Sequence, residues 1–135
     1  MEPQDEDRSQ KEKNYIECLN IEYFRAAGDH MEAKMNLTAF HGQPYGFLSG
    51  GVTIAFAETI AGYASNQLLP AEKKAVGQSV SANHLKPKKM GGYIIAKGRL
   101  LHKGRSSHAW SIEVIDDHNN LISFITVINA IIKIT

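Results

Sequence analysis

The chain has 135 residues, 43% hydrophobic and 21% charged, which suits one domain with its own core and is too short for two ordinary ones. Fifteen basic against fourteen acidic side chains leave a net charge of +1, which disfavours a strongly basic nucleic-acid binder. The single cysteine, Cys18, excludes an internal disulfide and a four-cysteine zinc site. No apolar run reaches membrane-spanning length and the first residues are too charged for a signal peptide, so a cytoplasmic domain is expected.

Residues 1–13 carry eight charges and read as a solvated or disordered tail, with one domain over 14–135. Tyr15, Ile16, Leu19, Tyr23 and Phe24 recur at helical spacing behind a possible cap at Asn14, and predict a helix over 14–25. Met31, Ala33, Met35 and Leu37 alternate with polar residues, the period of a half-buried strand. Residues 39–51 are a turn-rich loop. The run from Val52 to Leu69, stopped by Pro70, is apolar all round, as in a helix wrapped by protein on most sides. Strands follow. Val76, Val80 and Ala82 share a face of the first; 93–102, 107–116 and 121–134 continue the series, with Trp110, Ile112 and Val114 alternating against Ser111 and Glu113. The links Lys86–Gly92, Lys103–Ser106 and Asp117–Asn120 are short, which predicts antiparallel neighbours. The class is therefore α+β, a curled antiparallel sheet around one long helix.

Three features carry chemistry. Glu58 is the one charged residue of the long helix. An isolated carboxylate there is either paired structurally or functional, since desolvation makes it a stronger base. The segment Gln43-Pro44-Tyr45-Gly46-Phe47-Leu48-Ser49-Gly50-Gly51 opens that helix. Free N–H groups there make an oxyanion site, or Ser49 is an ordinary N-cap. Ser49 is not a hydrolase elbow, because Phe47 stands where G-x-S-x-G needs glycine. Between Lys73 and Ile112 there are nine basic residues and no acid. About half fit solvated turns and a sheet face; Gly104-Arg105-Ser106-Ser107 suits a phosphate. Few aromatics (Tyr93, Trp110) interleave with them, so a nucleic-acid stacking platform is weak. The histidines form no metal set, and Cys18 reads as packing.

These residues together resemble the hotdog-fold acyl-CoA thioesterases, in the branch of the 4-hydroxybenzoyl-CoA and 1,4-dihydroxy-2-naphthoyl-CoA thioesterases. The resemblance runs over roughly 29–135. It rests on Gln43-Pro44-Tyr45-Gly46, Gly50-Gly51, Ala57-Glu58-Thr59, Ala82-Asn83-His84-Leu85-Lys86 and Leu101-His102-Lys103-Gly104-Arg105. It implies that the Gly50 N–H polarises the thioester carbonyl, that Glu58 is nucleophile or base, and that Gln43 orients one of them. It places Asn83, His84 and Gly104-Arg105-Ser106-Ser107 near the coenzyme A arm. Tyr45 and Phe47, with Phe40 and Phe56, are expected in the acyl pocket. It implies no cofactor beyond the coenzyme A of the substrate, and no metal, nucleic-acid or membrane partner. Two positions depart from the pattern: Ser49 stands for the usual histidine, and Gly62 for a hydroxyl residue one turn after Glu58.

An aromatic or medium-chain acyl-CoA is the expected substrate. A non-catalytic acyl-CoA or acyl-carrier-protein binder is the alternative; a dehydratase of the same fold lacks its His/Asp pair. Gly50 and Glu58 are about 12 Å apart along a helix. One chain cannot bring both to one carbonyl, so a homodimer with shared sites is expected; the resemblance further implies pairing of dimers into a tetramer.

Overall fold

The computed structural model describes residues 13–134. The expected tail lies outside them except for Lys13, which is exposed.

Helix α1 (Tyr15–Leu19) starts on the expected cap: Asn14 Oδ1 accepts the Glu17 N–H at 2.9 Å. It stops after one turn and does not run to residue 25. Asn20 takes the left-handed conformation, φ 60°, which ends a helix. The β-prone residues that follow form strand β1 (Ile21–Ala27). A turn at Gly28, φ 60°, leads into β2 (His30–Asn36), where Met31, Ala33 and Met35 face inward as expected. A short 3-10 turn (Ala39–His41) precedes helix α2 (Gly50–Gln67). Then come β3 (Lys73–His84), β4 (Tyr93–Lys103), β5 (Ser107–Asp116) and β6 (Leu121–Lys133).

The six strands form one sheet in the order β1-β2-β4-β5-β6-β3, every pair antiparallel. One expectation fails here. The 86–92 link does not join neighbours: β3 pairs with β6 at one edge and β4 with β2. The link turns back through Gly91 and Gly92 (φ 96° and 70°) after crossing the sheet. A second expectation fails inside β3, where the register slips between Gly77 and Ser79. A bulge reverses the inside–outside alternation. Ala75 therefore shares the inner face with Val80 and Ala82, while Val76 is exposed.

The sheet curls around α2. Phe56, Ala57, Ile60, Ala61 and Ala64 pack on Trp110, Ile112, Val114, Ile125 and Val127, all buried. The other flank of the helix, including Val52, Ala55, Glu58 and Gly62, is only half-buried by its own chain. Four buried polar side chains fix the helix in rotation. Ser65 Oγ accepts from Trp110 Nε1–H at 2.8 Å and from Asn129 Nδ2–H at 3.1 Å. The second Asn129 N–H goes to the Ala61 carbonyl at 3.2 Å. With both lone pairs used, Ser65 donates its own hydrogen to His108 Nδ1, 2.8 Å away.

Candidate active site

The loop before α2 is held on three sides. Gln43 N–H donates to the Phe47 carbonyl at 2.6 Å, closing a tight turn whose Gly46 has φ 86°, a conformation that favours glycine. Leu48 and Lys88, and Met90 and Gly46, are joined by backbone bonds of 2.8 and 3.0 Å, so the β3–β4 link grips the loop. His41 is fully buried beneath it. Thr38 N–H donates to His41 Nδ1 and His41 Nε2–H donates to the Leu19 carbonyl, both at 2.8 Å; the His41 carbonyl accepts Ser49 N–H at 2.8 Å. One histidine thus ties α1, the loop and the start of α2 together.

At that start Ser49 is the N-cap by backbone, without a side-chain capping bond. Its carbonyl accepts from Thr53 N–H and Oγ1–H. Among the described residues no acceptor takes the N–H groups of Gly50 and Gly51. These free donors stand at the positive end of an 18-residue helix, where negative charge is stabilised. A cavity of about 150 Å³ opens there, lined by Gln43, Leu48, Gly50, Thr53, His84, Lys86 and Ser123 among others. The His84 ring lies against Gly50, its Nδ1 2.8 Å from Ser123 Oγ.

Gln43, Gly50 and His84 therefore meet, with Ser49 beside them. Glu58 does not join them within one chain: it stands two turns along α2, about 12 Å away. It is half-buried and, among the described residues, has no cationic partner. The other expected binding groups also separate. Strand alternation turns Asn83 to the outer sheet face, away from His84. Gly104, Arg105, Ser106 and Ser107 form the β4–β5 hairpin at the opposite end. His84 pairs with Ser123 and Ser107 with Ala130, so the two groups lie about 23 Å apart along β6. The hairpin sits at the same end as Glu58, which lies over Gly77; Gly77 pairs with Asn129, which on its other side pairs with His108. Lys73, Lys74, Lys103 and Lys133 gather at this end with Arg105, giving it a basic rim.

Of the expected pocket aromatics, Phe56 is wholly in the core, Phe47 is half-buried, and Phe40 and Tyr45 are exposed, Tyr45 to 84%. None of the four lines the cavity at the start of α2. Thr53 and Ser123 at the cavity, and Gly77 under Glu58, were not singled out by the sequence reading. The signal for Gly77 was there: an isolated glycine in a strand pattern marks a bulge or a close approach. One group of metal-ligand type, Asp116, Asp117 and His118, lies in the β5–β6 turn. Asp116 Oδ1 accepts the N–H groups of His118 and Asn120, and Asp117 is 3.2 Å from Lys88. These acids hold the turn. Among the described residues no helix is long and apolar enough to cross a membrane.

The model of the thioesterase superfamily matches residues 45–123. The 1,4-dihydroxy-2-naphthoyl-CoA hydrolase of Escherichia coli K12 is 31% identical, over 82% of this chain and 80% of its own. The proofreading thioesterase EntH of Klebsiella pneumoniae is 34% identical, over 78% and 77%. Among solved structures, the Lactococcus lactis protein yhdA, a candidate thioesterase, superposes with a TM-score of 0.87 at 45% identity, over 90% of this chain and 98% of that one. The fold is the hotdog fold and the class of enzyme is thioester hydrolase. The chain belongs to the thioesterase superfamily.

Proposed function

We propose that the protein hydrolyses an acyl-CoA with an aromatic or medium-chain acyl group, releasing the free acid and coenzyme A. The observation that carries this is the cavity at the start of α2, where unpartnered N–H groups, Gln43 and His84 converge. The thioester oxygen sits at the Gly50 N–H. His84 Nδ1 lies 2.8 Å from Ser123 Oγ; with Ser123 as donor there, His84 Nε2–H is a second donor to the oxyanion, supplied from β3 in place of the histidine that the family resemblance implies at position 49. Glu58 takes a proton from water as the water oxygen attacks the carbonyl, or its carboxylate attacks the carbonyl to form an anhydride that water then cleaves, regenerating Glu58. Collapse expels the thiolate, which receives the proton.

Glu58 comes from the second protomer. The half-buried flank of α2 and the 12 Å gap support an antiparallel pair of helices in a homodimer with two shared sites. In that arrangement the Arg105 hairpin travels with Glu58 and reaches the same site as the partner's Gly50, which reunites the groups that one chain keeps apart. Exposed Phe124 and Ile132 on the outer sheet face supply a surface for pairing dimers into a tetramer. The relative named for 1,4-dihydroxy-2-naphthoyl-CoA hydrolysis supports the aromatic acyl group.

The test is thiol release from a panel of acyl-CoAs, with Glu58→Gln as control. An aromatic or medium-chain substrate should turn over, and the variant should fold and lose about 100-fold. Tight binding across the panel without turnover would select the acyl-CoA or acyl-carrier-protein binding alternative.

A further inference from the structure

The residue beneath the Glu58 carboxylate is Gly77, in the edge strand β3. A Cβ placed on Gly77 would collide with Glu58 Oε2, and would stand only 3.1 Å from the carboxyl carbon and 3.4 Å from Cγ. The carboxylate occupies the volume that any other residue would need. Backbone strain does not require the glycine, because its φ lies outside the left-handed region. What requires it is space. The bulge is part of the same arrangement: the register slip between Gly77 and Ser79 turns Gly77 inward on one side and Val80 inward on the other, so β3 meets the helix on both sides of the slip.

We infer that Gly77 is the positioning residue for Glu58: its bare backbone is the seat that sets how deep the carboxylate lies and which way it points. This rests on the reading of Glu58 as base or nucleophile. A methyl group on the seat displaces the carboxylate by on the order of 1 Å, and misplacement of that size costs about 100-fold in rate. The groups that bind coenzyme A in that reading, the Gly50 helix start and the Arg105 hairpin, are elsewhere. The loss should therefore fall on kcat and leave KM almost unchanged.

The experiment is a double-mutant cycle read in two ways, by hydrolysis of the best acyl-CoA and by thermal unfolding. Gly77→Ala should lower kcat about 100-fold and lower the unfolding midpoint only slightly, since what must move is the far end of a flexible side chain. Glu58→Asp should cost less turnover in the Gly77→Ala background than in the parent, because the shorter carboxylate clears the methyl group. Glu58→Ala should recover the midpoint that Gly77→Ala lost. Should Gly77→Ala alone fail to fold, the double variant with Glu58→Ala is expected to fold. Parental kcat in Gly77→Ala, or a stability loss that Glu58→Ala does not relieve, overturns the seat. Parental turnover in Glu58→Ala overturns the catalytic reading instead; the stability cycle then decides the seat by itself.

Discussion

His84 lies across the start of α2 so closely that its Nε2 would stand 2.7 Å, and its Cδ2 2.9 Å, from a Cβ on Gly50. The glycine lets the ring approach, and the ring in turn faces the free N–H groups that a thioester oxygen would meet. Glu58 over Gly77 repeats the relation eight residues along the same helix, with the partners exchanged: there the helix gives the large residue and the strand the glycine. Two complementary contacts fix the register of α2 against β3.

From the first contact follows a coupled pair of variants. His84→Ala should lower kcat by about 100-fold, the scale of losing one oxyanion donor. Gly50→Ala should cost a similar amount by pushing the ring away, and should cost little more in the His84→Ala background. Steady-state kinetics of the four proteins check this. Independent, multiplying losses would mean that Gly50 and His84 act separately.

Ser49→His introduces the residue that the family resemblance implies at this position. The Ser49 side chain makes no capping bond, so the helix start should survive the change. Activity toward an aromatic acyl-CoA should be maintained or raised, as kcat/KM measurements would register. A folded, substrate-binding variant that loses turnover would show that Ser49 has a role of its own.

Strands β4, β5 and β6 were legible almost to the residue, because Trp110, Ile112 and Val114 alternate without interruption and their hairpins are short. The strand at Ile21–Ala27 was not. Tyr15, Ile16, Leu19, Tyr23 and Phe24 satisfy a helical period, and only the left-handed Asn20 divides them. The face of Val76 was misread for a related reason: a bulge shifts the phase of a period-two pattern and leaves no mark but a glycine. Of the residues that line the cavity, Gly50 was legible from the helix start, and Gln43 and His84 from the family resemblance. Ser123 was not, because only the pairing of β6 with β3 brings it to His84.

Arg105→Ala should raise KM for an acyl-CoA more than it lowers kcat. A phosphate contact is similar in ground and transition states. The effect should shrink as salt rises, since Arg105 is exposed on the hairpin. A salt-independent loss confined to kcat would place the guanidinium at the reacting centre instead.

His108 predicts how stability responds to acid. Burial holds its imidazole below the ordinary histidine value, and the nearby Lys103 and His102 push the same way. Its Nδ1 accepts from Ser65, whose lone pairs are already taken by Trp110 and Asn129. The native state therefore resists the proton that the unfolded chain accepts near pH ~6.5. Stability should be complete above that value and fall as pH drops from it toward the lowered native value. In His108→Gln an amide oxygen can still take the Ser65 hydrogen but does not titrate. Thermal midpoints across pH 5–8 should fall less steeply on the acid side in this variant. An unchanged slope would assign the acid sensitivity to other groups.

Glu58 and Gly50 of one chain are about 12 Å apart, too far to act on one carbonyl, so activity should require a pair of chains. Chains carrying Glu58→Gln keep the helix start and lack the carboxylate. Chains carrying Gly50→Pro keep the carboxylate and lack the N–H; proline is tolerated at the first helical position, though here it also meets the His84 ring. Each parent should fold, form dimers and be nearly inactive. Unfolded together and refolded as a mixture, half of the dimers should be mixed if the chains pair at random. In a mixed dimer one site combines two intact halves and the other two damaged ones. The mixture should thus recover about a quarter of parental activity per chain, and dilution that separates the protomers should abolish it. Mixed dimers without activity, or a fully active monomer, would refute the shared site.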